Sequence, residues 1–174
     1  VSEAAVAGHE ARVVLKINAL TYLDLIDSLI RAGQCGVKID LIVRGACMLR
    51  PGVTGHTENI KVRSIIGRFL EHSRIFRFRN GGDEEVYLSS ADWMPRNFDR
   101  RVEFLAPVES GTVHDQIVDQ VMVANLLDTE QSWLLGPDGT YRRMASNTEF
   151  EGEPFNLHSY FMINPSLSGR GAAL

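Results

Sequence analysis

One histidine in this sequence, His72, has neighbours that suit it to anion chemistry. Arg74 lies two residues further along, so on a β-strand the two side chains would point to the same face. Seventeen residues after His72 begins the run Ser89–Asp92 (Ser-Ser-Ala-Asp), whose hydroxyls and carboxylate can orient an imidazole by hydrogen bonds. Such residue types are suited to holding an anion and moving a proton. An ordinary surface or hydrogen-bonded core histidine is the alternative.

Basic residues are concentrated in the middle of the chain. Residues 41–101 contain eleven Arg and Lys against seven Asp and Glu, a local net charge of +4, whereas the remaining residues carry −8. Arginine is well suited to forked recognition of phosphate, and a basic centre on an acidic body indicates a focused anion site. The overall charge of −4 argues against a general nucleic-acid binder. A solvated basic surface is the alternative interpretation.

The first predicted elements would place an arginine at a ligand-binding edge. Residues 12–17 and 38–43 are apolar, β-branched runs typical of buried strands. A helix between them is predicted to begin at an N-cap, Thr21, and to end near Gly33 and Gly36. Its apolar face would comprise Leu23, Ile26, Leu29 and Ile30. Such a unit has parallel strands with a right-handed crossover, and Arg44 would follow the carboxyl end of the second strand, where α/β sheets bind ligands.

The rest of the chain is predicted to continue the sheet. Residues 50–58 are typical of a loop, and residues 61–70 fit either a helix or a strand. Further strands are predicted at 73–78, 85–88, 101–106, 131–135 and 141–144, with turns at Asn80–Gly82 and Gly136–Gly139. A helix capped by Thr112 would face inwards with Val113, Ile117, Val121 and Ala124. Residues 145–174 are loop-like, with aromatic side chains that could pack on the body: Phe150, Phe155, Tyr160 and Phe161.

Length and composition indicate one globular domain. The chain has 174 residues and no apolar run near the ~20 residues that a membrane span needs. Its two cysteines, Cys35 and Cys47, match no disulfide or metal pattern, which predicts reduced thiols in a cytoplasmic protein. Residues 1–10 are interpreted as a leader or the stub of an upstream region. The remaining histidines receive no role: His9, His56, His114 and His158.

Two segments resemble the phospholipase D signature. The run His72–Arg74 resembles its His-x-Lys opening, with Arg74 at the lysine position. Ser89–Asp92 resembles its Gly-Ser-x-Asn, and Glu103 fits the glutamate that follows. The family's aspartate, seven residues after the histidine, falls on Arg79. This departure weakens the case for an ordinary phosphodiesterase, whose aspartate helps to orient the site.

Longer segments between residues 11 and 144 resemble the polyphosphate kinase family. They are Val37–Gly45, Leu49–Gly52, Arg63–Arg74 and Ser89–Glu103. In that family, two phospholipase D-like domains face one another, and a histidine of the first becomes phosphorylated. The second supplies phosphate-binding arginines and a second histidine. The sequence has no counterpart of the first domain's His-His-Pro-Tyr motif, so the resemblance implies the second half only, inactive alone.

The resemblance implies roles for individual residues. Arg44, His72 and Arg101 would contact the phosphates of ATP or ADP and of polyphosphate, with His72 as the catalytic residue. Arg74, Ser90 and Asp92 would support them. The hypothesis follows that His72 gives a proton to the departing chain or nucleotide. Mg²⁺ would arrive with the nucleotide and find its protein ligands in the upstream domain.

We therefore expect an α/β phospholipase D-like domain, a mixed β-sheet flanked by helices, over residues 11–144, with residues 145–174 as a tail packed on it. Within the full enzyme it would transfer the terminal phosphate of ATP reversibly to polyphosphate. Its partners would be the sister catalytic domain and further copies in a homo-oligomer, with no nucleic acid and no membrane span. The alternatives are a phospholipase D-type phosphodiesterase and a non-catalytic anion-binding or assembly module.

Overall fold

Eight β-strands form one mixed sheet in the part of the chain that this computed structural model describes, residues 1–146 and 153–164. The strands are β1 (Ala11–Ile17), β2 (Lys38–Val43), β3 (Ile60–Ile65), β4 (Ile75–Asn80), β5 (Asp83–Ser89), β6 (Leu105–Pro107), β7 (Ser132–Leu135) and β8 (Tyr141–Arg143). Their order across the sheet is β6-β5-β4-β1-β2-β3-β7-β8. The helices are α1 (Ser2–Val6), α2 (Leu23–Gln34), α3 (Pro95–Arg100), α4 (Gly111–Asp115), a π-helix (Gln116–Met122), α5 (Val123–Leu127), a 3₁₀ turn (Met144–Ser146) and α6 (Leu157–Ile163).

The central strand β1 organises the sheet. It pairs in parallel with β2 and antiparallel with β4, while β2 pairs in parallel with β3. Six of its seven residues are buried, because α2 packs on one face and the π-helix on the other. Burial on both faces is what a continuous apolar run predicts. The βαβ unit and the mixed α/β sheet flanked by helices are thus confirmed.

The beginning of α2 differs from the prediction. Thr21 is not its N-cap, because the backbone N–H groups of Thr21 and Tyr22 both donate to the carbonyl of Trp93, at 2.7 and 2.9 Å, which holds the chain extended there. The helix starts at Leu23, with Tyr22 as N-cap. Leu23 is exposed, contrary to expectation, whereas Ile26 and Leu29 face the core as expected.

The end of α2 also differs in detail. Gly33 lies inside the helix rather than at its end, and it packs against Ile60 of β3. Gly36 follows the helix with φ of 94°, a conformation that glycine adopts readily. Of the two, only Gly36 has a backbone conformation that favours glycine.

Residues 61–70, which fit either a helix or a strand by sequence, belong to β3 as far as Ile65. The chain then continues without regular structure over residues 66–74. The predicted strand at 73–78 begins later, at Ile75, and runs on to Asn80. The Gly81-Gly82 turn is confirmed, with φ values of 66° and 115°, and so is the β7–β8 hairpin.

The predicted strand at 101–106 is largely wrong. Residues 101–104 have no regular structure, and only Leu105–Pro107 pairs, as the edge strand β6. The apolar run misled because Val102 and Phe104 point to solvent rather than into the core. The helix α3, just before it, was not predicted, although Pro95 at its first turn is a recognised start signal.

The long helix after β6 starts at a different residue from the one predicted and buries a partly different face. It begins at Gly111 rather than after a Thr112 cap, and Val113 is exposed. Its middle is a π-helix, which turns through more residues per turn than an α-helix and so shifts the inward face. Val118 and Met122 are buried there together with the expected Ile117.

Residues 153–164 pack against the sheet, and the loop-like interpretation fails for α6. Phe155, Tyr160 and Phe161 are half-buried against a core cluster that includes Ile42 and Ile65. Phe150 lies outside the described residues. In the part of the chain that is described, no helix has the length and apolarity needed to cross a membrane.

A buried aspartate holds α6 in place. Asp128 accepts a hydrogen bond from the backbone of Leu157 at 2.8 Å through Oδ2. Its Oδ1 accepts from the backbone of Gln131 and from Oγ of Ser132, both at 2.9 Å. All three donors would lose their acceptor if the carboxylate were removed.

We therefore predict that Asp128→Ala lowers the free energy of unfolding by about 3 kcal/mol or more, because each buried donor left unsatisfied costs roughly 1–3 kcal/mol. Urea denaturation of the purified chain measures this. Asp138→Ala, which removes a carboxylate from an exposed turn, serves as the control and should show a clearly smaller loss. Equal losses would contradict the role given to Asp128.

Candidate anion-binding site

Arg44 and Asn18 meet at the carboxyl edge of the parallel strands. Asn18 follows β1 and Arg44 follows β2, so parallel pairing brings them side by side. Nε of Arg44 donates to Oδ1 of Asn18 at 2.7 Å. The carbonyl of Arg44 accepts from Oγ of Ser64 at 2.8 Å. A Cβ on Gly45 would lie 3.1 Å from the carbonyl of Asn18, so glycine permits the close approach of the two strand ends.

Asp92 binds both the residues that follow β1 and Arg74, which comes just before β4, the antiparallel neighbour of β1. Its Oδ1 accepts from the backbone N–H groups of Asn18 and Ala19 at 2.8 and 3.3 Å, and its Oδ2 forms an ion pair with Nη2 of Arg74 at 2.8 Å. Burial alone would raise the pKa of Asp92. The hydrogen bond from Arg74 and those from the two backbone groups outweigh it, so the pKa lies below its ordinary value.

His72 lies at the same edge, just before β4. Because β4 is antiparallel to β1, its first residue, Ile75, pairs with Lys16 near the carboxyl end of β1. His72 is exposed, and its Nε2 is 3.3 Å from Nη2 of Arg74. A guanidinium can only donate, so this contact uses the lone pair of Nε2. The carbonyl of His72 accepts from Nη1 of Arg74, also at 3.3 Å.

Glu103 contacts Ser90 and lines the same pocket as Arg101. Oγ of Ser90 donates to Oε2 of Glu103 in a short hydrogen bond, and Nδ2 of Asn97 donates to Oε1 at 2.7 Å. These two bonds, with smaller contributions from the charges of Arg101 and Arg74, lower the pKa of Glu103. Arg101 itself is exposed, directly after α3, beside a pocket that Asn97 and Glu103 also line.

Four of the six residues singled out in the sequence therefore lie in one connected group. The contacts run from Arg44 through Asn18 to Asp92, and on through Arg74 to His72. The expectation that Asp92 and the serines would contact the imidazole directly is not met in the described part of the chain, where Asp92 binds Arg74 and Ser90 binds Glu103. Support of His72 is indirect, through Arg74.

Sequence reasoning missed Asn18 and Asn97. The position of Asn18, immediately after a predicted parallel strand, was a usable signal, because that edge was already expected to bind a ligand. Asn97 could not be found, because α3 itself was not predicted. Across residues 1–146 and 153–164, no three His, Cys, Asp or Glu side chains lie together in a way that could hold a metal ion.

A family model described as polyphosphate kinase C-terminal domain 2 matches residues 2–153. The chain belongs to this family. It is 57% identical over 173 residues to a polyphosphate kinase of Erythrobacter litoralis, covering 97% of this chain and 24% of that protein. It is 54% identical over 141 residues to one of Pseudomonas aeruginosa, covering 81% of this chain and 20% of that protein. The resemblance stated from the sequence is confirmed.

The fold is also that of a solved polyphosphate kinase. The crystal structure of the enzyme from Porphyromonas gingivalis matches with a TM-score of 0.86 and 34% sequence identity, over 94% of this chain and 25% of that chain. The phospholipase D-like fold class is confirmed. The chain spans about a quarter of the length of these polyphosphate kinases.

The lowered pKa of Asp92 generates a prediction about pH. Because the folded-state pKa is depressed, the stabilisation by Asp92 is fully present above the unfolded value, about 3.9, and is lost as pH falls through the folded value. We expect wild type to be more stable than Asp92→Asn at neutral pH, with a gap that narrows below about pH 4. Urea denaturation between neutral and acidic pH tests this. Stability curves that stay parallel throughout would contradict it.

Proposed function

We propose that this chain is the second half-site of a polyphosphate kinase, which transfers the terminal phosphate of ATP reversibly to polyphosphate. The observation that carries the proposal is the connected group at the carboxyl edge, in which Arg44 and Arg74 are held by Asn18 and Asp92 beside the exposed His72. Membership of the family supports the same reaction.

The arrangement suits phosphoryl transfer. The transferred group passes through a loose transition state whose charge is spread over its equatorial oxygens, so catalysis depends on positioned positive charge. Arg44 meets this requirement because Asn18 fixes its guanidinium at Nε, and among the described residues no hydrogen bond occupies its two terminal nitrogens. Arg101, exposed at the end of α3, is the second proposed phosphate ligand.

His72 is the proposed catalytic residue. Its Nε2 lone pair faces Arg74. A general acid at this position must carry a proton that it can release beside a bound phosphate. His72 can then give that proton to the oxygen that departs with ADP or with the polyphosphate chain. Asp92 keeps Arg74 in place during this exchange, because its own position is fixed by backbone N–H groups.

The rest of the reaction needs groups from outside this chain. We propose that a sister domain supplies the histidine that becomes phosphorylated, and that a divalent cation, Mg²⁺, comes with the nucleotide and finds its protein ligands there. We also propose a cytoplasmic homo-oligomer. Within the chain, residues 11–144 would be the catalytic domain, and residues 145–174 would be a tail packed on it. Alone, the chain would bind phosphates without transferring them.

Of the alternatives, an anion-binding module has specific support, because the same arginines can hold phosphate without chemistry. A phospholipase D-type phosphodiesterase has less structural support. Arg79, at the position of that family's aspartate, lies at the far end of β4 and pairs with Glu10 at 3.3 Å, away from His72.

We predict that the chain binds pyrophosphate or short polyphosphate weakly and in a salt-sensitive manner, because the contacts are between charges. Calorimetry or NMR titration should show that Arg44→Ala with Arg101→Ala abolishes most of this binding. A matched control, Arg31→Ala with Arg142→Ala, removes two exposed arginines elsewhere and the same net charge. Unchanged binding in the first double variant, or equal loss in both, would refute the assignment.

In the complete enzyme, His72→Gln should reduce the transferase rate by about 10²–10⁴-fold, the usual contribution of a proton donor. The melting temperature should be nearly unchanged, because His72 is exposed. Both quantities are measured on one preparation. A variant that melts early but retains near-normal turnover at low temperature would make His72 structural and remove it from the site.

A further inference from the structure

Two buried ionisable side chains, Lys16 and His158, contact Glu71 in the segment that carries His72. Nζ of Lys16 is 2.7 Å from Oε2 of Glu71, and Nε2 of His158 is 2.8 Å from Oε1 of the same carboxylate. The side chains of Lys16 and His158 are only 2% and 3% exposed. They come from β1, from the segment itself and from α6, so the contact joins three distant parts of the chain.

The hydrogen bonds show which ring nitrogen of His158 accepts and which one donates. The backbone N–H of Phe69 donates to Nδ1 of His158 at 3.2 Å, so Nδ1 must be the unprotonated nitrogen. Nε2 therefore carries the proton and donates to Glu71, which accepts as a carboxylate. Burial of Glu71 would raise its pKa, but the charge and hydrogen bond of Lys16, followed by the contact with His158, hold it below the ordinary value.

His158 and Glu71 also contact or belong to a stretch of chain that has no regular structure, residues 66–74. A Cβ on Gly67 would lie 2.0 Å from Nε2 of Gln131 and 2.7 Å from Nδ1 of His158, so the chain passes very close to both. The ring of Phe69 packs edge-on against His158 at 5.2 Å between centroids. Glu71 is held on both carboxylate oxygens. The residue that follows is His72.

We propose that Lys16, Glu71 and His158 form a positioning triad for His72. They fix residues 67–71 from below, so that the imidazole of His72 is presented beside Arg74 at the anion-binding edge. Because His158 belongs to α6, the described C-terminal residues contribute to the site although none of them reaches it. The inference rests on the proposed function only in taking His72 as a site residue.

Stability alone does not account for such a group. Taking a lysine and a carboxylate out of water costs free energy that their attraction does not always repay, and apolar replacements of buried ion pairs are often neutral or stabilising. Hydrogen bonds and an ion pair are directional, so they specify one position of Glu71, which an apolar contact does not do. Replacing Lys16 and Glu71 together by uncharged residues therefore distinguishes the two roles. A positioning role predicts a change at His72, whereas a purely stabilising role predicts none in the folded protein.

The decisive variant is Lys16→Met combined with Glu71→Gln, studied in the 174-residue chain. It leaves no buried charge unpaired, so the fold is retained, while the triad is broken. We expect the ¹H–¹³C signals of the His72 ring to shift and broaden, and the amide of Phe69 to exchange about fivefold faster or more, as expected for the weakening of one hydrogen bond. Affinity for inorganic pyrophosphate should fall by a similar factor.

The chain offers a matched control in the ion pair between Arg12 and Asp40. It lies at the other end of β1, also has a 2.7 Å contact, and its carboxylate has the same 17% exposure as Glu71. Arg12→Met with Asp40→Asn should leave the ring signals of His72, the exchange of Phe69 and pyrophosphate affinity unchanged. Should the first double variant unfold, His158→Gln, which leaves the ion pair intact, is measured in the same way.

Two different outcomes show whether the proposed function or this inference has failed. If wild type fails to bind pyrophosphate, the proposed function is refuted, while the ring signals and the amide exchange still decide whether the triad positions His72. If the folded variants keep the wild-type ring signals of His72 and the wild-type exchange of Phe69, the triad is merely structural and the inference is overturned.

Discussion

The carboxylate of Asp92 is the contact on which the site depends. It accepts two backbone N–H groups where β1 ends and an ion pair from the start of β4, so one buried side chain joins the two halves of the sheet edge. Without it, Arg74 would have no fixed position beside His72, and the amide of Asn18, which holds Arg44, would lose its own support. A single acid thus orients two arginines.

The parts of this arrangement that follow from local sequence were predictable. β2 was predicted with its observed bounds, because an apolar, β-branched run lies between Gly36 and Gly45. Arg44 was placed correctly at the carboxyl edge once the crossover had been recognised. The same reasoning would have included Asn18, which follows β1. Strand ends are informative because parallel pairing leaves little choice about where they meet.

The parts that depend on distant residues were not predictable in this way. The path of residues 66–74 is set by Gln131 and His158, which no local pattern relates to them. The segment that contains Val102 and Phe104 was predicted as a buried strand because it is hydrophobic. Hydrophobicity alone does not show whether other parts of the protein cover a segment, and both side chains are exposed. The buried face of the π-helix was also predicted only in part, because the prediction assumed 3.6 residues per turn and a π-helix has more.

The groups that would touch a ligand differ from those that hold them. His72 and Arg101 are exposed, whereas Asp92, Lys16 and His158 are buried and make several directional bonds. Preorganised charge is effective in catalysis because the supporting groups do not have to reorganise as the reaction proceeds. Under the proposed function, an exposed set of ligand-contacting groups on a rigid support would also let a facing domain approach it closely. The buried polar network under a solvent-facing edge is therefore the feature that best connects this fold to the phosphate binding that we propose.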